Sequence, residues 1–266
     1  KSTAADGAAM VKASANIVEA GETAEDVEAA TAQLVAGGSV GGAGAAAIDT
    51  QVGTLAARAS GGSVYVSEAD ALTLGTVGAI DVNRIGLDSS TTPLAGEELS
   101  AAVRAKQNVK IENGADAAGD LTVSTVVGAG EDVLLNARQG DLKVNAAVSA
   151  GKQADDDMTL LASGGVSQGA DGDITAGGTI DVEAQTGSID MDADATATAV
   201  GNLRYLAAQN ADITGLKGAN VRVEATAGSI TDAGGPGKDV EATAAQLVAG
   251  GSVGGAGAAA IDTQVG

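Results

Sequence analysis

The sequence predicts an all-β protein: a right-handed parallel β-helix, or β-solenoid, with about 24 residues per coil and a narrow aliphatic core. One circuit of the chain around the solenoid axis is called a coil here. Three observations carry the prediction. Short segments alternate apolar and polar residues, glycine-rich turns separate these segments, and large side chains are almost absent.

Apolar–polar–apolar triplets recur along most of the chain. Alternate side chains of a strand point to opposite faces, so we expect Lys110, Lys143 and Arg222 in water and their apolar neighbours in a core. Asp181 is likewise the middle residue of a triplet, so we expect it in water. The triplets occupy 64–66, 72–74, 80–82, 109–111, 121–123, 142–144, 180–182, 189–191 and 221–223.

Turns such as "ENGAD" (112–116) and "RQGD" (138–141) separate these strands at regular distances. Nine coils then fill about 213 residues. The predicted coils open near Leu34, Leu55, Ile80, Val103, Val133, Met158, Ile180, Leu203, Val221 and Leu247.

The composition favours stacked coils over a sandwich or a barrel. The chain has 40 Gly, 2 Tyr and no Trp or Phe, and its mean hydropathy of +0.15 is too high for disorder. One coil cannot bury its own apolar face, whereas stacked coils form a continuous column of small aliphatic residues. The strong preference of parallel crossovers predicts the right-handed sense.

The sequence also contains a repeat whose period is much longer than one coil. Residues 27–53 recur at 240–266 with only Ala30 and Thr31 exchanged for Thr243 and Ala244, so the copies start 213 positions apart. Because the chain opens on Lys1 and stops within the repeat, we expect residues 1–266 to be one continuous solenoid excerpt of a longer repeat protein.

Two stretches fit the strand pattern less well. Residues 22–34 place Val27, Ala30 and Leu34 at helical spacing, which leaves a short helix as an alternative. Residues 86–99 contain Pro93 and do not alternate, so we expect a loop that projects from one coil.

Charge and residue types exclude several functions. The net charge of −21 would repel nucleic acid and anionic lipid, and no apolar run approaches the roughly 18 residues of a membrane-spanning helix. We therefore expect no nucleic-acid partner and no membrane insertion. The absence of His and Cys removes the usual catalytic bases, thiols and imidazole ligands. We expect no enzymatic activity, with Tyr65 and Tyr205 simply lying on coil faces.

Acidic residues offer the one candidate cofactor, a calcium ion. Asp190, Asp192 and Asp194 lie on one face if the strand continues, and hard carboxylate oxygens suit Ca²⁺. The alternative is a solvated acidic face without a metal. The runs 155–157 and 171–173 are weaker candidates of the same kind.

The stretch "AQLVAGGSVGGAGAAAIDTQVGTLAARASGGSVYVSEADALTLGTVGAIDV" (32–82), with "GGTIDVEAQTGSIDM" and "GANVRVEATAGSITDAGG", resembles the filamentous-haemagglutinin-like exoproteins of Gram-negative bacteria. The resemblance implies a β-helical shaft, often exported by two-partner secretion and located at the cell surface or outside the cell. It carries over no functional residue, because such repeats have no chemical motif of their own.

Two classes of function remain open. The first is a structural shaft that extends through further repeats or assembles with copies of itself, and holds ligand-binding parts away from the cell. The second is a binding module whose solenoid faces or 86–99 loop contact a receptor or a glycan, with calcium as a possible stabiliser. The scarcity of aromatic and Arg anchors favours the shaft.

Overall fold

The computed structural model describes residues 2–19, 21, 24–235 and 237–266. It confirms an all-β parallel solenoid of about 11 coils with roughly 23 residues each, close to the predicted 24. The strands are parallel because the chain winds in one direction, and each strand pairs with the strand that lies one coil later.

The described residues form 26 strands and two short 3-10 turns, Gly44–Ala46 and Gly257–Ala259. The first strands are β1 (Ser2–Ala13), β2 (Val27–Ala36), β3 (Ile48–Ala59), β4 (Val64–Glu68), β5 (Leu72–Leu74), β6 (Val82–Ile85), β7 (Thr91–Leu94), β8 (Val103–Ala105), β9 (Val109–Asn113), β10 (Leu121–Val123), β11 (Val127–Gly128), β12 (Val133–Ala137) and β13 (Leu142–Val144). The others are β14 (Val148–Ser149), β15 (Met158–Ala162), β16 (Val166–Gln168), β17 (Ile174–Ala176), β18 (Ile180–Ala184), β19 (Ile189–Met191), β20 (Ala197–Ala199), β21 (Asn202–Ala207), β22 (Ala211–Ile213), β23 (Leu216–Ala225), β24 (Ile230–Asp232), β25 (Val240–Ala249) and β26 (Thr263–Val265).

All strands except β6 and β7 join one sheet that winds around three faces. Face A contains β4, β9, β12, β15, β18 and β21, and it continues through β23 to β25. Face B contains β5, β10, β13, β16, β19, β22 and β24. Face C contains β8, β11, β14, β17 and β20.

Inward-facing residues form the predicted aliphatic columns. On face A, Val109, Val133, Met158 and Ile180 follow one another in register, and each is at most 2% exposed. Burying one such side chain contributes about 1.5–3 kcal/mol, so stacking supplies what a single coil lacks. The outward positions are confirmed as well, since Lys110, Lys143, Asp181 and Arg222 are all partly or largely exposed.

Close stacking also explains some of the glycine. A Cβ on Gly130 would overlap the carbonyl oxygen of Lys106 in the preceding coil, and a Cβ on Gly151 would overlap the carbonyl oxygen of Gly130. Only glycine fits where three successive corners approach this closely.

The structure corrects the helical alternative for residues 22–34. Residues 22 and 23 lie outside the described residues, and Val27–Ala36 is the strand β2. β2 pairs with β1 on one edge and with β3 on the other, so its backbone hydrogen bonds are made between coils. Tertiary pairing therefore overrides the helical spacing of Val27, Ala30 and Leu34.

The predicted coil opening at Ile80 is also wrong. β6 and β7 form an antiparallel hairpin outside the main sheet, and all eight of its strand residues are exposed. The chain leaves the stack after β5 and returns at β8, so the predicted loop at 86–99 lies within a longer excursion, residues 76–101. The triplet 80–82 has strand alternation but no neighbouring coil to pair with.

Candidate interaction surfaces and acidic corners

Many of the acidic side chains hold one coil to the next. Where the chain enters face A, the Asn108 side chain accepts a hydrogen bond from the Asp132 N–H (3.0 Å), and Asp132 accepts from the Asp157 N–H (2.9 Å). Asp157 then accepts from the Thr179 N–H at 2.6 Å. This corner ladder satisfies backbone donors that the strands leave unpaired, and carboxylates make the stronger, charge-assisted form of the bond.

The corner ladder begins in the amino-terminal coils. Asn16 accepts from the Ser39 N–H (2.9 Å), Ser39 from Ser63 (3.2 Å), and Ser63 from Asn108 (3.2 Å). A second ladder, between faces A and B, uses Asp120 as an acceptor for Asp141. Many of the acidic side chains therefore have a structural role that requires no bound ligand.

The candidate calcium residues lie at the end of a face B strand. Asp190 points outward from the centre of β19, whereas Asp192 and Asp194 follow in a turn, where the Asp194 N–H donates to Asp192 Oδ1 at 3.2 Å. In the parallel register, Asp190 lies beside Asp212 of the next coil. Partial burial, with a smaller contribution from the charge of Asp212, raises the pKa of Asp190.

No group of three or more acidic side chains in the described part of the chain is arranged to hold a metal ion. Calcium binding at Asp190, Asp192 and Asp194 stays a prediction. Among the weaker candidates, Asp157 belongs to the corner ladder, and Asp173 accepts hydrogen bonds from the N–H and the hydroxyl of Thr196.

Outward rows of face A carry ion pairs. Arg204 contacts Asp181 at 2.7 Å and Glu183 at 3.3 Å, which joins two adjacent coils. These side chains are about a third exposed, and exposed pairs of this kind contribute about 0–1 kcal/mol each. The row favours the register of the stack but offers no unsatisfied charge to a partner.

The excursion is anchored by a buried amide. Gln33 is fully buried, and the two N–H groups of its Nε2 are shared among three carbonyl oxygens, those of Val77 (2.9 Å), Gly78 (2.9 Å) and Glu97 (2.8 Å). A small apolar cluster of Val35, Ala56, Val77 and Leu99, with Ile80 packed against it, lies beside this amide. The base of the excursion is thus fixed to the outside of the stack.

The hairpin itself presents apolar residues to solvent. Leu87 at its tip is fully exposed, and Ile85, Val82 and Leu94 are between 46% and 63% exposed. Face C carries a groove of about 770 Å³ lined by small residues including Ala129, Ser149, Thr175 and Thr198. The hairpin and the groove are both accessible from solvent.

No family model, no curated protein and no solved structure is significantly similar to this chain. Within the described residues, no helix has both the length and the apolar character needed to cross a membrane.

Sequence reasoning missed several buried polar groups, of which Tyr205, Gln33 and Glu68 are examples. Tyr205 was expected on a coil face but is fully buried, and its hydroxyl donates to Gln168 Oε1 at 3.0 Å across the core. The inward triplet position of Tyr205, between Leu203 and Ala207, was the available signal. Gln33 and Glu68 are also fully buried, and nothing local in the sequence marks them, because their partners lie 16 or more residues away.

Proposed function

We propose that this chain is a shaft segment of a large secreted or cell-surface repeat protein of the filamentous-haemagglutinin-like type, in which stacked coils act as an extended spacer. The observation that carries the proposal is the uninterrupted parallel sheet, which passes through both copies of the long repeat. A column of small aliphatic side chains gives such a stack rigidity without needing a catalytic or cofactor site. The chain would contribute length, and other parts of the protein would contribute ligand binding.

Electron microscopy and small-angle X-ray scattering of the purified chain test the shaft. At about 4.8 Å per coil, 11 coils predict a straight rod roughly 50 Å long with one lateral projection from the excursion. A matched variant in which residues 78–98 are replaced by a short Gly-Ser linker should keep the rod and lose the projection. A compact particle, or a rod that bends freely between the two repeat copies, would contradict the spacer role.

Location requires a separate test. An antibody raised against the exposed hairpin should label intact source cells or their medium, and protease added outside the cells should remove the label. Labelling only after the cells are lysed would overturn the surface assignment and leave the rod unaffected.

The second candidate is a binding module, and the exposed apolar hairpin is the observation that favours it. The wild-type chain and the linker variant would be compared for binding to epithelial cells and to a glycan array. Binding that requires the hairpin would support the module. Equal binding, or none, by both chains would favour the shaft alone.

Calcium stabilisation belongs to this second candidate. If Asp190, Asp192 and Asp194 bind Ca²⁺ in the native state, millimolar Ca²⁺ should raise the melting temperature and a chelator should reverse the rise. The triple Asp→Asn variant should lose the response. An unchanged melt in the wild type would remove calcium from the account.

A further inference from the structure

The amino-terminal coils contain an acidic corner, defined by Asp26, Asp49, Glu68, Asp70 and Asp116. Glu68 is its fully buried member: its Oε1 accepts from the Val52 N–H at 2.9 Å, and its Oε2 accepts from the Thr50 hydroxyl at 2.6 Å. The carboxyl group therefore connects the start of one coil, on β3, to the end of β4 in the next.

Asp70, in the turn after β4, is the acid whose negative charge acts on this carboxyl group. Asp49 points to the opposite face of β3 from Thr50, and it lies near Asp26 and Glu25 of the segment before β2 and near Asp116 of the turn after β9. Glu19 lies beside Asp26 and Asp49 as well. None of the five residues that define the acidic corner forms an ion pair with a Lys or Arg of the described chain.

Burial and like charges raise the pKa of three of these groups, Glu68, Asp26 and Asp49. Burial raises the pKa of Glu68 to about 7, and hydrogen bonds from Thr50 and Val52 offset this only in part. Burial and a hydrogen bond with Glu19 raise the pKa of Asp26 to about 6. Burial likewise raises the pKa of Asp49.

The site also accommodates the protonated form of Glu68. A neutral carboxyl group would donate its proton to Thr50 Oγ1, and the Thr50 hydroxyl would turn to the carbonyl oxygen of Ser67, which is 3.4 Å away. The hydrogen-bond chain keeps its length and reverses its direction, so protonation removes a buried charge without leaving an unpaired group.

We propose that the acidic corner is a proton-dependent latch, which holds the amino-terminal coils together in mildly acidic solution and loosens them as the pH rises to neutrality. The latch rests on the geometry of the fold and is independent of the proposed shaft function.

The direction follows from proton linkage. Glu68, Asp26 and Asp49 have raised pKa values in the folded state. At a pH between the open-state pKa and the folded-state pKa of such a group, the folded state therefore binds more protons than the open state. The extra stability is present at low pH and is lost as the pH rises. For Glu68, a shift from 4.5 to about 7 predicts that the local opening constant rises roughly 70-fold between pH 5 and pH 8.

Hydrogen–deuterium exchange of the whole chain, corrected for the intrinsic pH dependence of exchange, measures this opening. Peptides within 48–70 should lose protection by the stated factor between pH 5 and pH 8, whereas peptides within 133–162 should not. Glu68→Gln should abolish most of the loss, and Asp26→Asn should reduce it. Glu224→Gln, in an exposed ion pair with Arg222, is the matched control and should leave it unchanged.

Equal protection of residues 48–70 at the two pH values in the wild type would overturn the latch. It would also be overturned if Glu68→Gln folded and retained the full wild-type pH response. If that variant does not fold, Asp26→Asn and the wild-type profile decide the question on their own.

Discussion

The two copies of the 27-residue repeat have nearly one sequence but two different surroundings. In the first copy, Leu34 and Val40 are both 0% exposed and Val52 is 2% exposed. Their counterparts in the second copy are more open: Leu247 is only partly buried, Val253 is 47% exposed and Val265 is 49% exposed. Both copies nevertheless form a ten-residue strand followed by a 3-10 turn at the same position. Local sequence sets the strand, and the neighbouring coil sets the burial.

The copies also lie on different faces of the solenoid. Eight successive pairings lead from Val40 along face A to Ala245. The counterpart of Val40, Val253, instead pairs with Ile230 in face B. The 213-residue period is therefore eight coils plus one face, and the same sequence folds equally on two faces. Coil geometry is set by the apolar–polar alternation more than by any position-specific contact.

The largest expected difference between the copies concerns their central leucine. Leu34→Ala should lower the free energy of unfolding by about 2–5 kcal/mol, because it leaves a cavity in a closed core. Leu247→Ala should cost well under half of that, since Leu247 is only partly buried. Urea denaturation followed by circular dichroism measures both. Equal losses would mean that the second copy is as well covered as the first.

The second-largest difference between the copies is expected at the glutamine that precedes each leucine. Gln33→Ala should cost about 1–3 kcal/mol, because it removes one buried amide from three carbonyl oxygens of the excursion. Trypsin should then cut faster after Arg84 in the loosened hairpin. Gln246→Ala is the matched control, because the Gln246 side chain is exposed and accepts a hydrogen bond from Arg222. Cleavage at an unchanged rate in Gln33→Ala would contradict the anchoring role.

A smaller difference between the copies is expected in how the melting temperature depends on pH. Asp26 and its counterpart Asp239 each accept a hydrogen bond from the aspartate one coil later, and burial is the leading cause that raises the pKa of both. Since a raised carboxyl pKa stabilises the fold at low pH, the melting temperature should fall as the pH rises from about 4 to about 6. Asp26→Asn should flatten this slope more than Asp239→Asn, because Asp26 has the larger shift, to a pKa of about 6. A larger effect of Asp239→Asn in calorimetry would reverse that assignment.

The smallest effect is expected where the copies differ. The exchange Ala30→Thr with Thr31→Ala makes the first copy identical to the second, and neither side chain is buried. Surface changes of this kind alter stability by less than about 0.5 kcal/mol. A larger shift in the urea midpoint would show that these two positions distinguish the faces.

Much of the fold could be predicted from local pattern, because strand alternation and glycine turns are local signals. Coil openings at Val133, Met158, Ile180 and Leu203 are confirmed as one column of face A. Ile80 was misassigned because its alternation is equally local, and only the missing neighbouring coil shows that it lies in the excursion.

The candidate sites were less predictable, because they depend on contacts between coils. Gln33 and its acceptors are 44 to 64 residues apart, and Glu68 meets Val52 and Thr50 across one coil. The corner ladder did leave a signal, since Asn108, Asp132 and Asp157 each directly precede a strand of face A. An acceptor residue at that fixed position is typical of a cap and could have identified these acids as structural.

Parallel, in-register stacking is tested most directly by engineered disulfides, because the chain has no cysteine of its own. Thr159 and Asp181 are outward-facing partners in adjacent coils, so the Cys pair at these positions should form a disulfide under mild oxidation. The Cys pair at Thr159 and Arg204, two coils apart, should stay reduced because about 9.6 Å separates the backbones. Cross-linking of the second pair but not the first would contradict the stacked-coil account.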